Sequence, residues 1–115
     1  MGKQLTLQII KEKLFVTFKQ EPVYKAILFG SYAKGVANSK SDIDLVIDSQ
    51  GELCGLNFFG LLEKIKNSLG KEIDLIEVCE IEKDSAIEKI IYKEGIVIYE
   101  RTNWEEPLQN DWICN

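Results

Sequence analysis

Val23-Tyr24-Lys25-Ala26-Ile27-Leu28-Phe29-Gly30-Ser31-Tyr32-Ala33-Lys34-Gly35, and then Ser41-Asp42-Ile43-Asp44-Leu45-Val46-Ile47-Asp48, is the stretch on which the fold turns. Residues 23–29 make a short apolar run of the length and character of a buried strand. The run stops at Gly30-Ser31, and 31–34 has room for a short helix before Gly35. Residues 41–48 then alternate. Ile43, Leu45 and Ile47 are apolar, while Asp42, Asp44 and Asp48 fall on the other side of a period-two strand.

Upstream, Leu7, Ile10, Leu14 and Phe18 recur at three- and four-residue steps, which predicts an amphipathic helix over 5–18. It stops near Glu21-Pro22, because proline disfavours helix in the residue before it. Downstream, 49–52 reads as a loop. Residues 56–69 return to helical spacing, with Phe59, Leu62, Ile65, Lys66 and Leu69 as the expected buried stripe and Gly70 as a left-handed stop. A third strand covers 71–78, with Ile73 and Leu75 on one face and Asp74 on the other. Asp84 can cap a helix running through Ile87, Ile90 and Ile91 to Gly95, and Ser85 with Glu88 offers a second capping reading. Residues 96–99 form a last short strand. Helices and strands in this order give an α/β sheet with helices on one or both faces. The triplet Ile-Asp-Leu occurs at 43–45 and again at 73–75, and shared strand patterning is sufficient cause.

The 115 residues are 45% hydrophobic and 29% charged, a balance that suits one globular domain, expected over 1–100. The remaining 101–115 change character: Trp104, Pro107 and Trp112 sit among polar residues, as a tail that packs its indoles on the body or docks on a partner. Nineteen acidic against 14 basic side chains, a net charge of -5, argue against a basic nucleic-acid groove. No apolar run approaches the ~18 residues of a membrane span. Cys54, Cys79 and Cys114 are odd in number and widely spaced, so reduced thiols are expected rather than a disulfide framework. Histidine is absent, which excludes His-ligated zinc and leaves proton transfer to carboxylate, Lys, Tyr or Cys.

Asp42 and Asp44 stand two apart on one strand, so their carboxylates leave the same face with Cα atoms about 7 Å apart. Asp74 joins them if the third strand lies beside the second in register. Two unit charges 4 Å apart repel by about 1 kcal/mol in water and about 4 kcal/mol at an effective dielectric of 20. Such a cluster makes best sense around a hard divalent cation, and oxygen ligands beside a phosphate suit Mg²⁺. Alternating Asp on a strand is also the pattern of a solvated face. Gly30-Ser31 shifts the balance: a strand that ends in Gly-Ser and turns into a helix offers N–H groups and a hydroxyl to an anion.

Gly30-Ser31-Tyr32-Ala33-Lys34-Gly35 with Ser41-Asp42-Ile43-Asp44-Leu45 resembles the nucleotidyltransferase signature of the DNA polymerase beta superfamily. Within it, the short chain resembles the minimal nucleotidyltransferases, over residues 23 to about 99 and including Asp74 and 94–99. The resemblance implies a polymerase-beta-like fold, a mixed four-stranded or five-stranded sheet flanked by helices. It also implies a cytoplasmic antitoxin that transfers AMP from ATP to a tyrosine of a HEPN-domain ribonuclease toxin, its partner in a hetero-oligomer. Neither nucleic acid nor membrane is a direct partner in that picture. Carried onto this chain, Gly30 and Ser31 would hold the triphosphate of ATP. Asp42 and Asp44 would bind Mg²⁺, two ions in all, and Asp74 would complete the second metal site and take the proton of the attacking hydroxyl. Lys34 is either a phosphate charge or an exposed solubilising lysine. Tyr32, where many relatives carry Arg, reads as packing. A small-molecule nucleotidyltransferase of the aminoglycoside-modifying kind is an alternative, which expects an added helical domain; an antitoxin that inhibits by binding alone is another.

Overall fold

Ile10, Leu14 and Phe18 lie at four-residue steps and form the buried stripe of α1 (Leu7–Lys19) in the computed structural model, which describes residues 5–101. Thr6 caps the helix, its hydroxyl accepting from the Ile9 N–H at 3.2 Å. Phe18 is fully buried, and a side chain of that size contributes about 1.5–3 kcal/mol by leaving water.

Four strands form one mixed sheet: β1 (Lys25–Phe29), β2 (Ile43–Asp48), β3 (Ile73–Glu77) and β4 (Ile96–Glu100), in the order β3-β2-β1-β4. β1 runs antiparallel to both β2 and β4, whereas β2 and β3 are parallel. The end of β1 therefore meets the starts of the other three strands at one edge of the sheet. A parallel pair needs a crossover, and α3 (Leu56–Leu69) supplies it. The link from β1 to β2 holds only α2 (Ser31–Lys34), and α4 (Ala86–Glu94) follows a single 3₁₀ turn at Val78–Glu80.

The larger core lies between α1, α3 and one face of the sheet, where Leu14, Phe18, Leu45, Ile47, Leu61 and Ile65 are buried together. Ile27, Phe29, Val46, Val78 and Ile91 make a smaller core under α4 on the other face. Two covered faces explain why β1 reads as a continuous apolar run.

Some expected details shift. The regular ladder of β1 begins at Lys25 and that of β2 at Ile43, later than the apolar pattern suggested. α3 buries Leu61, Ile65 and Leu69, while Phe59 stays 59% exposed. The run 56–62 is apolar enough to fit two helical phases, and packing on α1 selects the one with Leu61 inside. Asp84 does not cap α4; Ser85 does, accepting from the Glu88 N–H at 3.2 Å, while the Glu88 carboxylate accepts from the Asp84 N–H at 2.7 Å. The Glu88 side chain thus reaches back one residue beyond the cap, while the Ser85 N–H donates to the Glu82 carbonyl at 3.1 Å, so the expected pairing of Ser85 with Glu88 forms on the Ser85 side only. Among the described residues no helix is long and apolar enough to cross a membrane. Of the expected tail at 101–115, Arg101 is described, its guanidinium donating to the Phe18 and Glu21 carbonyls at 3.1 and 2.9 Å, and residues 102–115 lie outside the described residues.

Candidate active site

β1 delivers the chain to Gly30, which adopts φ +80° and opens α2. Its missing side chain is a requirement of space as well as of backbone: a Cβ there would stand 2.1 Å from the Asp44 Oδ2. The carboxylate of Asp44 thus lies directly over the Gly30 backbone. The first N–H groups of a helix lack intrahelical partners, so the start of α2 presents donors beside this carboxylate. The Lys34 N–H bonds back to the Gly30 carbonyl at 3.1 Å, and Gly35 closes the turn in the left-handed conformation.

Asp44 stands opposite Phe29 in the antiparallel ladder and opposite Asp74 in the parallel one. The expected meeting of these two aspartates is therefore built into the register. Burial, then the Asp74 charge and a hydrogen bond to Asp74, and lastly the Asp42 charge, push the Asp44 carboxyl up to about 6. Asp42 precedes the ladder and is exposed, as is Asp74. Like-charge carboxyls held this close are a poor structural arrangement and a good cation edge. Hard oxygen donors in this number fit Mg²⁺, which takes one or two carboxylates and fills its remaining positions with water and phosphate oxygens. Among the described residues, no three acidic or thiol side chains are already gathered into a complete cage of protein ligands.

Lys34 follows the Gly30-Ser31 turn, and its Nζ lies 3.8 Å from the Glu94 carboxylate at the end of α4. Glu94 was not among the expected site residues. The signal was available, because β4 pairs antiparallel with β1 and so the residues before β4 must reach the end of β1. Tyr32 is half-buried and packs against the larger core, in line with its expected role. Around the sheet edge on the α3 side, a polar cleft of about 490 Å³ borders Asp42, lined also by Ser39, Lys40, Lys66, Asn67 and Lys71. Asp44 and Asp74 lie outside it.

One strongly buried carboxylate belongs to no site. Glu77 accepts from the Ser49 N–H and from the Ser49 hydroxyl, both at 3.0 Å, and the Leu53 N–H donates to the Ser49 Oγ at 3.2 Å. It fastens the loop after β2 to the end of β3.

Residues 12–103 match the family described as Polymerase beta, Nucleotidyltransferase. The chain is similar to the protein adenylyltransferase MntA of Thermococcus cleftensis, 30% identical over 99 residues, covering 82% of this chain and 97% of that one. Its fold is similar to a crystal structure of a toxin–antitoxin with AMP-PNP, with a TM-score of 0.69 at 19% identity, covering 79% of this chain and 73% of the other. It is also similar to a chain in the complex of tri-AMPylated Shewanella oneidensis HEPN toxin with MNT antitoxin. That match has a TM-score of 0.64 at 17% identity and covers 84% and 74% of the two chains.

Proposed function

This chain belongs to the polymerase beta nucleotidyltransferase family, and on that premise we propose that it is an antitoxin that transfers AMP from ATP to a tyrosine hydroxyl of a HEPN-domain toxin. The observation that carries the reading is Asp44: a carboxylate laid over a glycine that opens a helix, paired in register with a second aspartate. The likeness to an MntA protein adenylyltransferase and to folds from toxin–antitoxin complexes supports the acceptor being a protein. The partner is then the HEPN toxin, in a cytoplasmic hetero-oligomer that involves neither membrane nor nucleic acid directly.

In this reading the start of α2 binds the phosphates through the Ser31 hydroxyl and the N–H groups after Gly30. Lys34 contributes charge to the same end of the sheet. Asp42, Asp44 and Asp74 hold Mg²⁺, two ions in the full complex, and the metal supplies charge neutralisation for the oxygens of an in-line displacement. The tyrosine oxygen forms a bond to the α-phosphorus of ATP as the bond to the β-phosphate oxygen breaks. Pyrophosphate leaves with that electron pair, and the tyrosine proton passes to the Asp74 carboxylate.

Intact mass of a HEPN toxin co-expressed with this chain tests the reading. One or more added AMP units with the wild type, and none with the Asp42→Ala/Asp44→Ala variant, is the expected outcome. Toxin suppressed in a complex without added mass would overturn it in favour of inhibition by binding.

A further inference from the structure

Lys71 stands between the left-handed Gly70 and the start of β3, at the sheet edge where the acidic site lies. It is half-buried, and its side chain makes two contacts outside its own element. The Nζ donates to the Ser39 carbonyl at 2.9 Å and lies 5.8 Å from the centroid of the Tyr32 ring. One cation is thus tied both to α2, which carries the Gly30-Ser31 turn, and to the loop that leads into Asp42.

That loop, 36–41, is bonded to α2 at its start and within itself from Asn38 to Ser41. The Val36 N–H donates to the Ser31 carbonyl at 3.0 Å, and the Asn38 N–H to the Ser41 hydroxyl at 2.9 Å. The Lys40 N–H donates to the Asn38 Oδ1 at 2.8 Å, and the Ser41 N–H to the Asn38 carbonyl at 3.0 Å. Its side chains give little apolar anchorage: Val36 is 64% exposed, and Asn38, Ser39 and Lys40 are exposed as well. A loop of this kind keeps its own shape yet has little burial to fix where that shape sits against the body. The Lys71–Ser39 bond supplies such a fix, from the turn that leads into the strand that bears Asp74.

Asp44 is held by ladder pairing on both sides, whereas Asp42 is anchored only on its C-terminal side, where the Ile43 N–H donates to the Glu72 carbonyl at 3.1 Å, and takes the rest of its placement from the loop before it. The separation of the two carboxylates therefore depends on where the loop is held, and a shift there changes a metal edge more than it changes the fold. We propose that Lys71 is a positioning residue of the site: through the Ser39 carbonyl and the Tyr32 ring it fixes the spacing between the phosphate-binding turn and Asp42, and so sets the affinity for the divalent cation. This rests on the reading of the site as a nucleotidyl-transfer centre.

Lys71→Met keeps the aliphatic stem and removes the donor, while Lys71→Arg keeps a donor that can also stack on the Tyr32 ring. Amide hydrogen exchange at Val36, Asn38, Lys40 and Ser41 reads the tie directly, because those N–H groups make the bonds within the loop and from it to α2. Their exchange in Lys71→Met should accelerate about tenfold while that of β1 and β2 stays unchanged, and Lys71→Arg should restore most of the protection. In AMP transfer, the apparent Mg²⁺ constant of Lys71→Met should rise about tenfold, with the rate at saturating Mg²⁺ within roughly threefold of wild type, and Lys71→Arg should lie near wild type. Unchanged loop exchange overturns the proposal, as does faster exchange with an unaltered Mg²⁺ constant. If the wild type itself transfers no AMP at any Mg²⁺ concentration, the transfer reading fails on its own. Calorimetric Mg²⁺ binding to the same three proteins then decides the role of Lys71: about tenfold weaker binding in Lys71→Met alone supports it, and equal binding in all three overturns it.

Discussion

The Gly30–Asp44 contact concentrates the local chemistry in two residues. Gly30 accepts a φ that other residues adopt only with strain, and it yields the space that the Asp44 carboxylate fills. Gly30→Ala violates both conditions. It should lower the unfolding free energy by about 1–3 kcal/mol, read from the urea midpoint, and should disable AMP transfer by displacing Asp44. Asp44→Asn acts in the opposite direction on stability. Burial and the Asp74 and Asp42 charges make the ionised Asp44 costly, so the neutral isostere should raise the melting temperature in EDTA at neutral pH while abolishing transfer. A lower melting temperature for Asp44→Asn would contradict the crowding of charge. Asp42 and Asp44 were legible from alternation in one strand. That Asp74 meets Asp44 was only conditional, because register between strands joined by a 14-residue helix leaves no mark in local periodicity.

Elements are joined here by groups that hydropathy patterns do not reveal. Glu77 reads as one more polar residue of a strand, yet it is buried and ties β3 to the loop after β2 through Ser49. Burial pushes its carboxyl above the ordinary value of 4.5, helped by the Asp48 and Glu80 charges, and the two Ser49 hydrogen bonds offset only part of this. A raised carboxyl pKa means that the folded state binds the proton more tightly than the unfolded one. The associated stability is complete below 4.5 and is lost as the pH rises through the folded-state value. In an Asp44→Asn background, which removes the other carboxyl with a raised pKa, the urea midpoint should decline from pH 4 upward, and Glu77→Gln should flatten that decline. Glu77→Ala leaves the Ser49 donors unpaired and should cost about 1–3 kcal/mol. The secondary elements themselves were largely legible because each carries its own punctuation: Pro22 after α1, Gly35 after α2 and Gly70 after α3. The phase of α3 and the cap of α4 were less so. Both depend on a choice between adjacent candidates that only packing and the bonds of Ser85 and Glu88 at the start of α4 decide.

The strand order sets how the whole molecule responds to a ligand. β1 is central and antiparallel to β2 and β4, with β3 parallel to β2, so residues far apart in sequence come to one edge: Gly30 and Lys34 after β1, Asp42 and Asp44 at β2, Asp74 at β3 and Glu94 before β4. A ligand bound at that edge touches segments that separate on unfolding, so it stabilises the chain as a unit rather than one loop of it. Free AMP-PNP with Mg²⁺ at one hundred times its dissociation constant should add about 2.7 kcal/mol. In a domain of this size that is a rise of roughly 10 °C in melting temperature. AMP-PNP in EDTA should give much less, since without the cation the triphosphate meets Asp42, Asp44 and Asp74 as like charges. Asp42→Ala/Asp44→Ala should lose the Mg²⁺-dependent part of the rise while folding normally. If nucleotide stabilised that variant and the wild type equally, the acid pair would play no part in holding the metal–nucleotide complex, and the phosphates would have to be bound by the α2 turn alone.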